Sequence, residues 1–197
     1  MKPFQWGGRL MEKKYEEYAY VLDFFTRLGD RRPYRGGPII QLLGEEYFTL
    51  LEAVAKQGVT LKPQDRIYVG RNGREHIAYI VGRISYDQLT AAAKAELPIA
   101  IENVVRQKEK KFVDFFNNAQ PITPRMHALE LIPGIGKRYM WVIIEEREKK
   151  PFESFEDLQK RTNIPNPVKL LVRRIMDELT GEPRYRLFTR PLHPSQR

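Results

Sequence analysis

Two glycines and two cations within eight residues carry the clearest chemistry of this chain. The stretch Leu131-Ile132-Pro133-Gly134-Ile135-Gly136-Lys137-Arg138 reads as a tight hairpin that opens a helix. Gly134 and Gly136 permit positive φ and a close approach of another molecule to the backbone. At a helix start the amide donors lack partners and the dipole end is positive, so the N–H groups of Gly134, Ile135 and Gly136 would point outward at an anion. Lys137 and Arg138 add full charges in the same first turn. Each opposes the helix dipole, at a cost of roughly a few tenths of a kcal/mol or more, and a bound anion would offset that cost. A phosphate is the expected ligand. The plain alternative is a helix–helix turn that uses its glycines only for tightness.

The flanking residues must hold that hairpin. Thr123-Pro124 predicts a helix start, with threonine as N-cap and proline at the first helical position. That helix would run to about Ile132, where Pro133 stops it. A second helix is expected from Lys137 to about Glu148, with Met140, Ile143, Ile144 and Arg147 at helical spacing. After Pro151, Ser154 predicts a further N-cap, with Asp157 three residues on as a variant capping box. Asn163-Ile164-Pro165-Asn166-Pro167 predicts a second turn, followed by a helix striped with Val168, Leu171, Ile175 and Leu179 and stopped by Gly181. Residues 123–148 and 154–179 are thus weakly similar units. The second turn lacks the two glycines and should be structural, or a poorer backbone donor.

The segment "RMHALELIPGIGKRYMWVIIEERE" resembles the helix-hairpin-helix module of DNA repair, recombination and RNA-associated proteins. The resemblance implies sequence-independent contacts to phosphates of either strand. "PFESFEDLQKRTNIPNPVKLLVRRIMDEL" is similar to the second half of a tandem module. Through "LELIPGIGK", "PFESFEDL" and "LTAAAKAELP", roughly residues 15–188 resemble an archaeal family of uncharacterised proteins. That family pairs a small β-barrel region with a C-terminal helix-hairpin-helix pair. It implies a fold and a nucleic-acid ligand, with RNA favoured through an association with translation and RNA processing, but no activity.

Two further basic stretches are candidates. Arg31-Arg32-Pro33-Tyr34-Arg35-Gly36-Gly37 combines guanidinium groups for phosphates, a tyrosine face for stacking and glycines for backbone approach. The alternative there is a solvated turn. Arg66, Tyr68, Arg71, Arg74, His76, Tyr79 and Arg83 lie on a predicted hairpin around Asn72-Gly73. Strand alternation puts Arg66 and Tyr68 on one face and Ile67 and Val69 on the other. An ordinary exposed sheet face is the simpler explanation of those residues.

The fold class expected is α+β. Tyr18–Phe25 and Pro38–Leu43 read as strands, Glu45–Val54 as strand or helix, and Asp65–Gly70 with His76–Ile84 as a paired hairpin. Short glycine-broken strands with basic loops suggest a small curled barrel, with the OB-fold as leading candidate. Leu89–Leu97 is strongly helix-forming. Pro98 is expected to break it, and a second helix should run from about Ile99 to Asn118. The linker 117–121 divides a barrel region with its C-terminal helix, 1–120, from an all-α helix-hairpin-helix domain with a basic tail, 121–197. Disorder is expected beyond Pro191.

The 197 residues suit one large domain or two small ones. A hydrophobic content of 42% suffices for real cores. A net charge of +9 and a pI near 9.7 point to a polyanionic partner, nucleic acid before anionic membrane. The chain has no cysteine, which excludes disulfides, thiolate nucleophiles and cysteine-held zinc or iron–sulfur centres. Met1–Arg9 has no apolar core of the kind a signal peptide needs, so a cytoplasmic location is expected, with Met11 as a plausible alternative start. No run spans a membrane.

His76, His127 and His193 are scattered without metal-ligand spacing, and no acidic cluster suits Mg²⁺. A glycosylase of the helix-hairpin-helix type implies an aspartate after the hairpin's second helix. Asp157 is the nearby aspartate, and a helix cap occupies it. The reading is therefore non-enzymatic nucleic-acid binding, RNA rather than DNA, without cofactor, metal, membrane or small-molecule substrate. The alternatives are a DNA repair or recombination factor, an enzyme or its accessory, and a protein-interaction module, which salt dependence distinguishes.

Overall fold

The computed structural model describes residues 15–26 and 37–191. The leader Met1–Arg9, the loop residues Arg31, Arg32, Tyr34 and Arg35, and the stretch beyond Pro191 lie outside the described residues. The chain separates into two compact units, Met1–Ala100 with Glu178–Arg197, and Ile101–Asp177.

In the first unit, alternating aromatic and branched residues form five strands: β1 (Tyr18–Phe25), β2 (Ile39–Gly44), β3 (Leu50–Ala55), β4 (Arg66–Tyr68) and β5 (Ile77–Arg83). They make one antiparallel sheet in the order β4-β1-β2-β3-β5, curled into a half-barrel. Register shifts in β1 between Val21 and Asp23, and in β3 on either side of Ala53 and Val54, supply the extra twist that curls it. Ala19, Val21, Ile40, Leu42, Leu51, Ala53 and Ile67 form the core between the strands. Glu45–Val54, ambiguous by sequence, is a turn followed by β3. The predicted partnership across Asn72-Gly73 does not occur. β4 pairs with β1 and β5 pairs with β3, so they lie at opposite edges of the sheet. Arg74 instead closes the intervening loop on itself, its Nε donating to the carbonyls of Val69 (3.2 Å) and Gly70 (2.5 Å).

A buried carboxylate builds the turn before β3. Glu16 accepts the N–H groups of Glu46 (2.8 Å), Tyr47 (3.1 Å) and Thr49 (3.1 Å). These bonds hold Phe48 at φ 53°, a left-handed conformation that costs a bulky residue about 1–2 kcal/mol. Gly44 makes this possible, because a Cβ there would collide with the Glu16 carboxyl. The same unit contains the basic tail. Arg83 donates to the Arg190 carbonyl at 3.3 Å, and the Arg190 guanidinium lies 3.4 Å over the Tyr47 ring.

Helix α1 (Ala91–Gln107) starts at an N-cap, with Thr90 Oγ1 accepting the Ala93 N–H at 3.0 Å. Contrary to expectation it runs straight through Pro98. An interior proline costs about 3 kcal/mol. Leu97, Ile101, Val104 and Val105 are all fully buried, each contributing about 1.5–3 kcal/mol, so continuity wins. The interruption falls at Lys108 instead, before α2 (Glu109–Asn118).

In the second unit the helix predicted from Thr123 to Ile132 is absent. The stretch forms two short antiparallel strands, β6 (Pro121–Thr123) and β7 (Met126–His127), then a 3-10 turn, Ala128–Leu131. Thr123 Oγ1 accepts the Arg125 N–H at 3.3 Å and so closes a turn rather than capping a helix. The cap belongs to His127, whose Nδ1 accepts the Leu129 N–H at 3.1 Å while its own N–H donates to Glu130 Oε2 at 2.8 Å. Three helices follow: α3 (Lys137–Lys149), α4 (Phe155–Thr162) and α5 (Pro167–Thr180). Arg147 of α3 donates to the carbonyls of Phe116 (3.0 Å) and Ala119 (2.9 Å) at the end of α2. Asn117 and Phe152 exchange two hydrogen bonds, of 2.9 and 2.7 Å.

Burial, reinforced by nearby Arg147, pushes the His127 imidazole below its ordinary value, against a smaller pull from Glu130. Its Nδ1 must stay unprotonated to accept. The unfolded chain takes up a proton near pH 6.5, the folded chain only at lower pH. The stabilisation is therefore complete above about pH 6.5 and lost as the pH falls through the lowered folded value. The urea midpoint should drop between about pH 7.5 and 5.5, and His127→Asn should shrink that drop. Equal pH dependence in the two proteins would contradict this.

Candidate nucleic-acid interface

The hairpin forms as a sharp corner rather than a helix–helix turn. Ile132 and Ile135 are buried on either side of Gly134, which itself is exposed. Gly134 sits at φ +96° with Leu170 of α5 beneath it, where a Cβ would come within 3.1 Å of Leu170 Cδ2. The corner is tied from behind by Arg174, which donates to the Leu131 carbonyl at 3.1 Å. One of the amides expected to face a ligand does not. The Ile135 N–H donates to the Ile132 carbonyl at 2.9 Å, because closing the corner uses that donor.

The open donors lie slightly further on. Gly136 is the N-cap of α3, in extended conformation (φ −85°, ψ −178°), and no side chain caps the helix. The first bond of α3 runs from the Met140 N–H to the Gly136 carbonyl at 3.0 Å. The amides of Lys137, Arg138 and Tyr139 therefore have no acceptor within the helix. An added Cβ at Gly136 would meet nothing within 4 Å. Lys137 and Arg138 are exposed, and among the described residues neither is joined to a carboxylate. The starts of α4 and α5 are closed by side chains. Ser154 Oγ accepts the Asp157 N–H at 3.0 Å, and Asn166 Oδ1 accepts the Lys169 N–H at 3.1 Å. The second turn, 163–167, thus spends its donors on itself.

The other basic candidates among the described residues belong to the first unit. Arg66 is engaged, bidentate to Glu45 at 2.8 and 2.9 Å, with its guanidinium 3.8 Å over the Tyr18 ring. Tyr68 meets Tyr18 edge-on at 5.4 Å. Arg71 lies 4.2 Å over Tyr15. Arg83 is half-buried, its charged form disfavoured first by burial and then by Arg190. The structure adds exposed candidates that sequence reasoning did not single out: Trp141 in α3, and Lys169 and Arg173 in α5. The signal for Trp141 was present: it stands four and three residues after Lys137 and Arg138, on the same helix face. Lys169 and Arg173 had no such signal, since α5 reaches the corner through tertiary contacts, Leu170 against Gly134 and Arg174 to the Leu131 carbonyl.

Fold and site together define a mixed α+β protein, a curled antiparallel sheet with helices after it and an open, cationic helix start. Residues 15–190 match the family described as a protein of unknown function, DUF655, and the chain belongs to that family. It is 43% identical over 180 residues to the uncharacterized protein MJ0038 of Methanocaldococcus jannaschii, a match covering 90% of this chain and 82% of the relative. It is also similar to the crystal structure of Af1531 from Archaeoglobus fulgidus, a DUF655 protein, with a TM-score of 0.81 and 49% identity over 89% of this chain and 100% of that one. Among the described residues no helix is long and apolar enough to cross a membrane.

Proposed function

We propose that this protein is a non-enzymatic, cytoplasmic nucleic-acid-binding protein that grips phosphates, without reading bases, at the Pro133–Arg138 hairpin. RNA is the favoured target, in a translation or RNA-processing setting. One observation carries the reading: the amides of Lys137, Arg138 and Tyr139 are uncapped behind Gly136, in the same turn as two cations that have no carboxylate partner among the described residues. Such a helix start favours an anion by its donors and its dipole together. The resemblance of residues 125–148 to a helix-hairpin-helix module and the net charge of +9 support the same ligand. The OB-like reading of the sheet unit is part of the proposal, supported by its curl and by Arg71 exposed at its edge.

The test is binding to duplex DNA, structured RNA and single-stranded RNA across a salt series. A steep salt slope is expected. Lys137→Ala should weaken binding uniformly across sequences and lower the slope by about one unit. Absence of binding to all three at low salt would turn attention to the tandem helices as a protein-interaction module.

A further inference from the structure

We propose that the exposed face of α3 receives an unpaired nucleobase on the indole of Trp141, so that the ligand is single-stranded nucleic acid or a single-stranded loop. The inference rests on the phosphate-binding reading of the hairpin and adds the class of ligand.

Trp141 is 63% exposed, more than any other large hydrophobic residue among those described. An indole left in water forgoes the burial that makes tryptophan a strong core residue. Its surroundings do not compensate. Cations lie over Tyr15, Tyr18, Tyr47 and Phe152, yet among the described residues no cation or ring contacts Trp141, although tryptophan is the best acceptor of such contacts. The helix buries Met140 and Ile143 on its other side.

The charges around it fit a nucleic acid strand. Lys137 and Arg138 are one turn before Trp141 on the same face and lack carboxylate partners among the described residues. Two of the acidic residues further along α3 are already matched, with Lys149 bound to Glu145 (3.3 Å) and Glu146 (2.7 Å), and Arg161 to Glu146 (3.3 Å). Leu170, packed beneath Gly134, carries the exposed Arg173 one turn along the same face of α5. Cations that follow a backbone beside an open aromatic face are the pattern that holds single strands, because every base has a face to stack. Bases inside a duplex are stacked on one another and reach such a ring only after unstacking.

The experiment uses the full chain carrying Trp6→Phe, so that Trp141 is the remaining tryptophan of two. The probes are a single-stranded RNA oligomer, an RNA duplex of the same length and inorganic polyphosphate. The single strand should quench Trp141 fluorescence, and polyphosphate should bind without doing so. In the same background, Trp141→Ala should lower single-strand affinity about tenfold, the loss of one stacked base, and leave polyphosphate and duplex binding unchanged, with Trp141→Phe between. A thermal melt confirms that this surface change leaves the fold intact. If Trp141→Ala binds the single strand as its parent does while Lys137→Ala is impaired, the inference is overturned and the hairpin reading stands. If neither change affects binding, or no probe binds, both are overturned.

Discussion

Gly136→Asp should make the protein more stable and unable to bind nucleic acid. Position 136 has the extended backbone of a normal N-cap and open space around it, so a side chain enters without strain. An aspartate there would accept the N–H of Arg138 or Tyr139 and place a negative charge at the positive end of α3, a gain of about 1 kcal/mol. The same carboxylate would occupy the donors proposed for a phosphate and repel it. The expected result is a higher urea midpoint with affinity reduced at least tenfold, roughly 1.4 kcal/mol. Higher stability with unchanged binding would show that the open amides are not the phosphate contact. Gly136 is a better site for this test than Gly134. The positive φ of Gly134 and its contact with Leu170 would mix strain into any substitution.

Glu178→Gln should produce the largest loss of stability, about 3–5 kcal/mol, comparable to breaking a buried charge from its partners. Glu178 is fully buried. Its carboxylate accepts the N–H groups of Leu187 (2.7 Å), Phe188 (3.1 Å) and Thr189 (2.9 Å) and the Thr189 hydroxyl (2.9 Å). Arg186 donates to its main-chain carbonyl at 2.6 Å. Glutamine keeps the shape but turns one acceptor into an NH₂ group facing N–H donors, and buried donors left without acceptors are costly. Equilibrium denaturation measures the loss. Thr189→Val, which removes one donor, should cost about 1 kcal/mol by the same assay. A Glu178→Gln protein as stable as the parent would mean that the tail is not held by this carboxylate.

These two sites differ in how far they could be read in advance. Gly136 was legible because a helix start is a local event. Glycine, then Lys137, then apolar residues at helical spacing mark it within a dozen positions. The Ser154 cap was legible in the same way. The Glu178 network was not, since nothing in the residues 187–189 shows that their amides need a carboxylate. The thread from Thr123 to Ile132 misled because threonine-proline serves turns as well as helix starts, and the capping partners His127 and Glu130 decided in favour of the 3-10 turn.

The sequence by itself determined the α+β class, the strand Tyr18–Phe25, the helices from Lys137 and Phe155, and the exposure of charge at the hairpin. All follow from alternation, caps and backbone freedom, which act between residues near in the chain. Tertiary structure alone decided that β4 and β5 take opposite edges, that α1 continues through Pro98, and that Trp141 is left in water. Each depends on which distant surface a segment is buried against, and that energy is large enough to override a local preference of a few kcal/mol.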